Sequence, residues 1–328
     1  MKYKKYSIII IAVLVGPIVY VWSCNSSGRK IIDNGIGFKA KLSSYQLFKG
    51  EMAALKPNDG VEIFELASTL FTDYAEKLRL IKLPKGKQMV LNGTGLPIFP
   101  EGTMIAKTFY YSKVAKKGRK IIETRLLILH QSKWNVATFR WNEAQDEANL
   151  IADGADLPID FKGLDGKRRK ISYHIPARQE CGSCHRQNDV IIPIGPKARN
   201  LNFRVERGGE NINQLIYLMQ RKVIKKRKID SLIHLPNDHD NSVPVAQRAR
   251  AYMDINCAHC HQAGGFAGNT TLNLDYGTDL ERTGIRFNKS NIVIRTNQMG
   301  EFHMPKLGTT VIDSEGVALI RKYISGLR

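Results

Sequence analysis

The chain has 328 residues, of which 43% are hydrophobic and 24% are charged, and its formal net charge is +20. These proportions are typical of a folded globular protein and exclude a largely disordered chain, and the length allows two or three domains. Binding to nucleic acid is not expected, because the basic clusters are neither interleaved with aromatic residues nor placed on a recognition motif.

The N-terminus has the pattern of an export signal. A short lysine-rich segment precedes the apolar run SIIIIAVLVGPIVYVW, which is shorter than the roughly 20 residues that a membrane-spanning helix needs. The stretch VWSC at 21–24 resembles a bacterial lipoprotein cleavage box. We therefore expect residues 1–23 to be a signal peptide and Cys24 to carry the lipid. An uncleaved N-terminal anchor is the alternative, and both interpretations predict a membrane-anchored protein of the cell envelope that faces the periplasm.

The next part of the chain is predicted to be rich in β-strands. The segments TMIAKTFYYSK, KIIETRLLILHQ and WNVATFRWN are dominated by β-branched, aromatic and aliphatic residues and are bounded by turn residues. We expect a sandwich-like domain over residues 24–175. No catalytic constellation is visible in it.

Every other cysteine lies in one of two CxxCH motifs, CGSCH at 181–185 and CAHCH at 257–261. CxxCH is the attachment signature of c-type haem, because its two thiols can form thioethers with one porphyrin while the histidine is held beneath the iron. The motifs predict two covalently bound haem c groups, with iron as their metal. The residues involved would be the thiols Cys181, Cys184, Cys257 and Cys260 and the iron ligands His185 and His261.

Two other interpretations of the cysteine pairs are weaker. A structural zinc site usually places its pairs about 15–20 residues apart, whereas more than seventy residues separate them here. A redox-active CxxC pair would be expected within a thioredoxin-like βαβ pattern, which we do not find. Neither alternative explains a histidine after both pairs.

The chain around the second motif resembles a class I cytochrome c domain, predicted over residues 242–328. A helical stretch leads into CAHCH, a loop containing HMPKLG follows, and an apolar stripe at helical spacing begins after the expected cap Asp313. In that family a methionine from the loop before the last helix is the second axial ligand, and Met304 occupies the matching place. His303, Met299 or an open site are the alternatives.

The segment around the first motif, residues 176–241, is less informative because it has no Met-Pro loop. The second axial ligand of its haem is left open, with four candidates or none: His174, Met219, His234 and His239. The fold class predicted for the whole chain is α+β and multidomain, with a β-rich N-terminal domain followed by mostly α-helical cytochrome c haem domains.

Several stretches together resemble a family of exported bacterial dihaem c-type cytochromes, and the haem segments are similar to the cytochrome tails of quinoprotein sugar dehydrogenases. The stretches are LSSYQLF, ELASTLFTDYAEKLR, FPEGTMIAKTFYY, IETRLLILHQSKWNVATFRWNEAQ, CGSCHRQ, IGPKARNLN, YMDINCAHCH and MPKLGTTVIDSEGVALIRKYI. The resemblance implies electron transfer rather than bond chemistry.

The expected function is therefore that of a membrane-tethered periplasmic dihaem cytochrome that carries electrons between a dehydrogenase or quinol donor and a terminal acceptor. The alternative is a dihaem peroxidase-like or oxidase-like enzyme with one open iron site. The expected partner is a redox protein, with an acidic surface if the basic clusters steer it. The expected membrane contact is the lipid at Cys24.

Overall fold

The computed structural model describes residues 36–114, 118–163, 165–306 and 308–327. The predicted signal peptide and the predicted lipid site at Cys24 lie outside these ranges. Within them, no helix is both long enough and apolar enough to cross a membrane.

An antiparallel sheet of eight strands forms the centre of the described chain. Six strands follow the order β1-β2-β3-β4-β5-β6, and β7 pairs with both β3 and β8. The strands are β1 (Val61–Ile63), β2 (Glu76–Lys82), β3 (Met104–Val114), β4 (Gly118–His130), β5 (Lys133–Trp141), β6 (Ala148–Ile151), β7 (Ala155–Lys162) and β8 (Arg168–Ile175). The three segments predicted from composition as strands form β3, β4 and β5, which are the longest.

Both faces of this sheet are covered, because successive side chains of a strand point to opposite faces. One row of paired residues, Leu80, Ala106, Leu126 and Ala137, packs beneath the N-terminal segment that contains two short 3-10 helices. The adjacent row, Ile81, Ile105, Leu127 and Val136, faces the chain that follows the sheet. Burial on both faces explains why these strands read as nearly continuous apolar runs.

The remaining elements are short. The helices are α1 (Arg178–His185), α2 (Ala198–Leu201), α3 (Gln214–Gln220), α4 (Val245–Asn256), α5 (Lys289–Thr296) and α6 (Ser314–Ser325). Two small hairpins, β9 (Arg186–Gln187) with β10 (Val190–Ile191) and β11 (Arg204–Arg207) with β12 (Glu210–Asn213), lie between them. Helix α3 packs Leu215 and Leu218 against the second face of the sheet. Helices α4 and α6 share a separate apolar cluster around Tyr252 and Ile320.

The predicted fold class is wrong. The described chain is built on an eight-stranded antiparallel sheet, and its six helices have between 4 and 12 residues. The part expected to form mostly α-helical haem domains contributes short helices joined by long loops and two small hairpins. Helices α4 and α6 are present and bury their predicted apolar stripes. Local periodicity, however, does not reveal how much of the intervening chain is helical. The domain boundaries at 175/176 and 241/242 stay a prediction.

The contact between α4 and α6 depends on a glycine. A Cβ at Gly316 would overlap the ring of Tyr252, whose hydroxyl donates to Asp313 at 3.0 Å. We expect Gly316→Ala to reduce the free energy of unfolding by about 1–3 kcal/mol through overpacking, measured by urea denaturation. Gly326→Ala, at the other end of α6, is the control, because its nearest neighbour lies at an ordinary 3.5 Å. Equal effects of the two substitutions would contradict this packing.

Candidate functional site

A cavity lies between the second face of the sheet and the segment that carries the first CxxCH motif. It contains about 1090 Å³ of space free of protein atoms, part of it open to solvent. Its walls are apolar over much of their area, with Leu70, Phe71 and Ile194 among them, and its polar groups include Cys181, Cys184, His185 and His259.

Three cations line the sheet side of this cavity. Arg79 on β2 pairs with Lys107 on β3, and Lys107 pairs with Arg125 on β4, so the three residues form one row across neighbouring strands. On each strand they lie two residues from Ile81, Ile105 and Leu127, and therefore on the same face of the sheet. Side chains directly opposite each other on antiparallel strands have Cβ atoms about 5 Å apart, and like charges in this arrangement are destabilising.

The three basic side chains differ in how far neighbouring groups offset their positive charge. Arg125 donates to the buried carboxylate of Glu123 at 2.6 Å, and Tyr173 donates to the same carboxylate at 2.7 Å. Lys107 Nζ lies 4.8 Å from the ring centre of Phe109. Arg79 is 7% exposed, and its Nη2 has no hydrogen-bond partner. Like charges at directly opposite positions of neighbouring strands repel each other, so this row opposes folding.

The electrostatics of Lys107 reflect this arrangement. Burial, and then the neighbouring charges of Arg79, Lys77 and Arg125, hold the pKa of Lys107 well below its usual range. Burial, and then the charge of Arg79, also lower the pKa of Lys77, to about 7. Both shifts mean that the protonated form of each lysine is disfavoured on this face of the sheet.

Helix α1 carries the first motif. Glu180 accepts from the backbone N–H of Ala177 at 2.7 Å, which caps the first turn. Cys181 is buried and donates to the carbonyl of Ala177 at 3.7 Å, and burial raises its pKa. His185 Nδ1 lies 2.8 Å from the carbonyl oxygen of Ile192. Burial lowers the pKa of His185 to about 4, so the ring is neutral near pH 7.

The second motif follows α4 directly, and its two thiols have different surroundings. Cys257 lines a smaller cavity together with Met304, and burial raises its pKa to about 12. Cys260 instead lies beside Cys184 of the first motif. Cys260 Sγ lies 3.8 Å from the carbonyl oxygen of Ser183, the residue before Cys184. Interaction with Cys260, and then burial, raise the pKa of Cys184 to about 12, whereas interaction with Cys184 lowers the pKa of Cys260. These two cysteines, which belong to different motifs, therefore lie close together.

The side chains of His261 and His303 are hydrogen-bonded to other groups of the protein. His261 Nδ1 lies 3.2 Å from the hydroxyl of Thr270, and burial lowers the pKa of His261. His303 is 5% exposed. Both of its ring nitrogens are occupied, Nδ1 by the carbonyl of Gln298 at 2.6 Å and Nε2 by the hydroxyl of Thr309 at 3.0 Å.

The other candidate ligands lie apart from the motif thiols, with one exception. Met219 packs in the core between α3 and the sheet, and Met299 and His234 are exposed. His239 is also exposed, with its Nδ1 3.4 Å from Glu315. His174 does line the larger cavity, but its ring nitrogens contact Asp156 at 2.7 Å and Glu180 at 3.0 Å.

These positions bear on the predicted cofactor. The structure contradicts the prediction of two covalently bound haem c groups. The described residues contain no group of three or more His, Cys, Asp or Glu side chains that could hold a metal ion, and the fold is mostly β rather than the helical enclosure of cytochrome c domains. In CAHCH, moreover, Cys257 and Cys260 face different surroundings. The signature is read from spacing along the chain, which does not reveal where each thiol points.

A buried ion-pair network joins the two motif segments. Arg199 Nη2 lies 2.7 Å from Asp254 on α4 and 2.6 Å from Asp275, and Lys197 Nζ lies 3.0 Å from both carboxylates. Burial acts to raise the pKa of Asp275, but Lys197 and Arg199 hold it well below its usual range. Asn256 adds a further link, because its side chain accepts from the backbone N–H of Phe71 at 2.7 Å. This network fixes the segment that carries Cys184 relative to the segment that carries Cys260.

Comparison with known proteins identifies no relative: no family model, no curated protein and no solved structure matches the chain. The function of the site is therefore inferred from the positions and surroundings of its residues.

Sequence reasoning missed several residues of this site. His259, in the middle of CAHCH, lines the cavity, and its buried Nδ1 has no partner. The row of Arg79, Lys107 and Arg125 was also missed. Its signal was present in the sequence, because each cation interrupts an otherwise apolar strand in EKLRLIK, MIAKTFYY and ETRLLIL.

We expect Arg199→Ala to reduce the free energy of unfolding by about 3–5 kcal/mol, because it leaves Lys197 alone to neutralise two partly or fully buried carboxylates. Urea denaturation at pH 7 is the measurement. Arg321→Ala, on the exposed face of α6, should change the free energy of unfolding by no more than about 0.5 kcal/mol. A small effect of Arg199→Ala would mean that the network does not hold the two segments together.

His174 should contribute a pH-dependent part of the stability. Burial acts to lower its pKa, but Glu180 and Asp156 outweigh burial and raise the pKa above its usual value. The protonated ring therefore stabilises the fold fully below the unfolded-state pKa of about 6.5, and this contribution is lost as the pH rises through the folded-state pKa. We expect the difference in stability between the wild type and His174→Gln to shrink over that range. His234→Gln should show no such trend.

Proposed function

We propose that this chain carries electrons between redox proteins of the cell envelope, with the Cys184 and Cys260 thiols as its redox-active pair. The proximity of these two cysteines, which belong to different CxxCH motifs, carries the proposal: Cys260 Sγ lies 3.8 Å from the carbonyl oxygen of Ser183, and each thiol shifts the pKa of the other. Envelope localisation and electron transfer are the expectations from the sequence. With a thiol pair as the electron carrier, neither localisation nor electron transfer requires a haem group.

The geometry suits reversible disulfide formation. A disulfide needs sulfurs about 2.05 Å apart, and the contact of Cys260 with the residue next to Cys184 brings the two side chains into the same place. Both residues are half-buried rather than fully enclosed, so the sulfurs can exchange with a partner. Cys181 and Cys257 are held elsewhere, the first against a carbonyl and the second in the smaller cavity. The pair is therefore distinct among the four described thiols.

The redox step balances as thiol–disulfide exchange. Cys184 and Cys260 lose two protons and two electrons and form one S–S bond, while a disulfide of the partner protein takes up two protons and two electrons and becomes a dithiol. The attacking species in such exchange is a thiolate, which forms a mixed disulfide that the second thiol resolves. The reverse reaction restores the dithiol.

The charge of the chain favours one kind of partner. A net charge of +20 creates a positive field that steers association with an acidic protein surface. We therefore propose an acidic redox protein as the partner, and we expect the association rate to fall as the salt concentration rises.

The test is to equilibrate the protein in glutathione redox buffers, block free thiols by alkylation and map the disulfides by mass spectrometry. We expect one disulfide, joining Cys184 to Cys260, with the loss of the mass of two hydrogens. Cys184→Ser and Cys260→Ser should each abolish the transition. Cys257→Ser is the matched control, because its thiol has no cysteine partner among the described residues.

Two outcomes would contradict the proposal. One is a disulfide within a motif, such as Cys181 to Cys184, with the other thiols free. The other is failure of the four sulfurs to react with the alkylating reagent after complete reduction and unfolding, because those sulfurs would then already be bonded to carbon.

A further inference from the structure

The described carboxylates neutralise the cation row on the sheet only in part. Arg79, Lys107 and Arg125 lie directly opposite one another on three adjacent strands. Within the part of the chain that the structure describes, Glu123 forms an ion pair with Arg125, and Arg79 and Lys107 form none. Stacking on an aromatic ring, as Lys107 does on Phe109, does not neutralise a charge. Like charges that are buried opposite each other destabilise a sheet, and a bound opposite charge would offset that cost.

Arg79 points to the place where that charge would lie. Its side chain lines the cavity, and Nη2 is buried without any hydrogen-bond partner. An unsatisfied charged donor in such a position is expensive, whereas a bound carboxylate would accept a charge-assisted hydrogen bond from it. Lys107, the register neighbour of Arg79, lines the same cavity and can approach the same anion.

The rest of the cavity indicates what kind of anion fits. Apolar residues form another part of the cavity lining, including Leu70, Phe71, Pro193 and Ile194. A small inorganic ion would leave these surfaces without a partner, whereas a ligand with an apolar body would cover them.

We propose that this cavity binds an amphiphilic carboxylate, with its carboxylate on Arg79 and Lys107 and its apolar body against the apolar part of the lining. The binding groups are distinct from the proposed thiol pair, because none of them is a cysteine. It also explains why three basic residues interrupt strands that are otherwise apolar.

The test is calorimetric titration of the purified chain with three probes: 2-naphthoate, the neutral isostere 2-naphthamide and inorganic phosphate. We expect naphthoate to bind with one site per chain and at least about tenfold more tightly than naphthamide, since a charge-assisted hydrogen bond contributes that much discrimination. Phosphate should bind more weakly than naphthoate, because it has no apolar body.

Substitutions assign the binding groups. Arg79→Gln should weaken naphthoate binding by at least about tenfold and leave naphthamide unaffected. Lys133→Gln, at an exposed position on β5, should change neither. Cys260→Ser, which removes one thiol of the proposed pair at a residue outside the lining of this cavity, should retain naphthoate affinity, so that failure of the thiol proposal and failure of this one are distinguishable.

The Tm gives a second readout, and its value in buffer alone requires no ligand. Because removing one cation relieves repulsion, Lys107→Met should raise the Tm in buffer without added carboxylate or phosphate and should reduce the increase in Tm caused by naphthoate. This variant also serves if Arg79→Gln does not fold. Equal affinity for naphthoate and naphthamide, unchanged naphthoate affinity in Arg79→Gln, or phosphate binding as tight as that of naphthoate would each overturn the proposal.

Discussion

The structure depends on an antiparallel sheet that is buried on both faces while one face carries positive charge. Burial of aliphatic rows such as Leu80, Ala106 and Leu126 on one side holds β2, β3 and β4 together, because apolar area removed from water is the dominant favourable contribution to folding. The same pairing forces Arg79 and Lys107 into contact on the other side. The strands cannot slip by one residue to relieve this repulsion without exposing the aliphatic rows.

The position of the cysteines follows from packing around that sheet. Helix α1 lies against β5, and α4 ends where its Asn256 contacts the backbone of Phe71. The network of Lys197, Arg199, Asp254 and Asp275 then fixes one motif segment relative to the other. Consequently Cys184 meets Cys260, a residue 76 positions away in the chain, and the larger cavity remains between the motifs and the cation row.

The cavity therefore combines two kinds of chemistry. Its motif side presents sulfur and the neutral imidazole of His185, whereas its sheet side presents basic side chains with few counter-charges among the described residues. A bound carboxylate would lower the positive potential near the thiols and so make their thiolate forms less favourable. Occupancy of the anion site and reactivity of the thiol pair would then be linked, in the way that two ligands acting on one local field are linked.

The sequence by itself determined the strands β3, β4 and β5, the helices α4 and α6 with the Asp313 cap, and the repeated CxxCH motifs, because each depends on residues close together in the chain. Only the tertiary structure decided that the described chain is mostly β, that Cys257 and Cys260 face different surroundings, and that Cys260 lies next to the segment of Cys184. Strand pairing brings together residues from distant segments, as with Arg79, Lys107 and Arg125. Neither hydrophobic period nor motif spacing contains the register that creates those contacts.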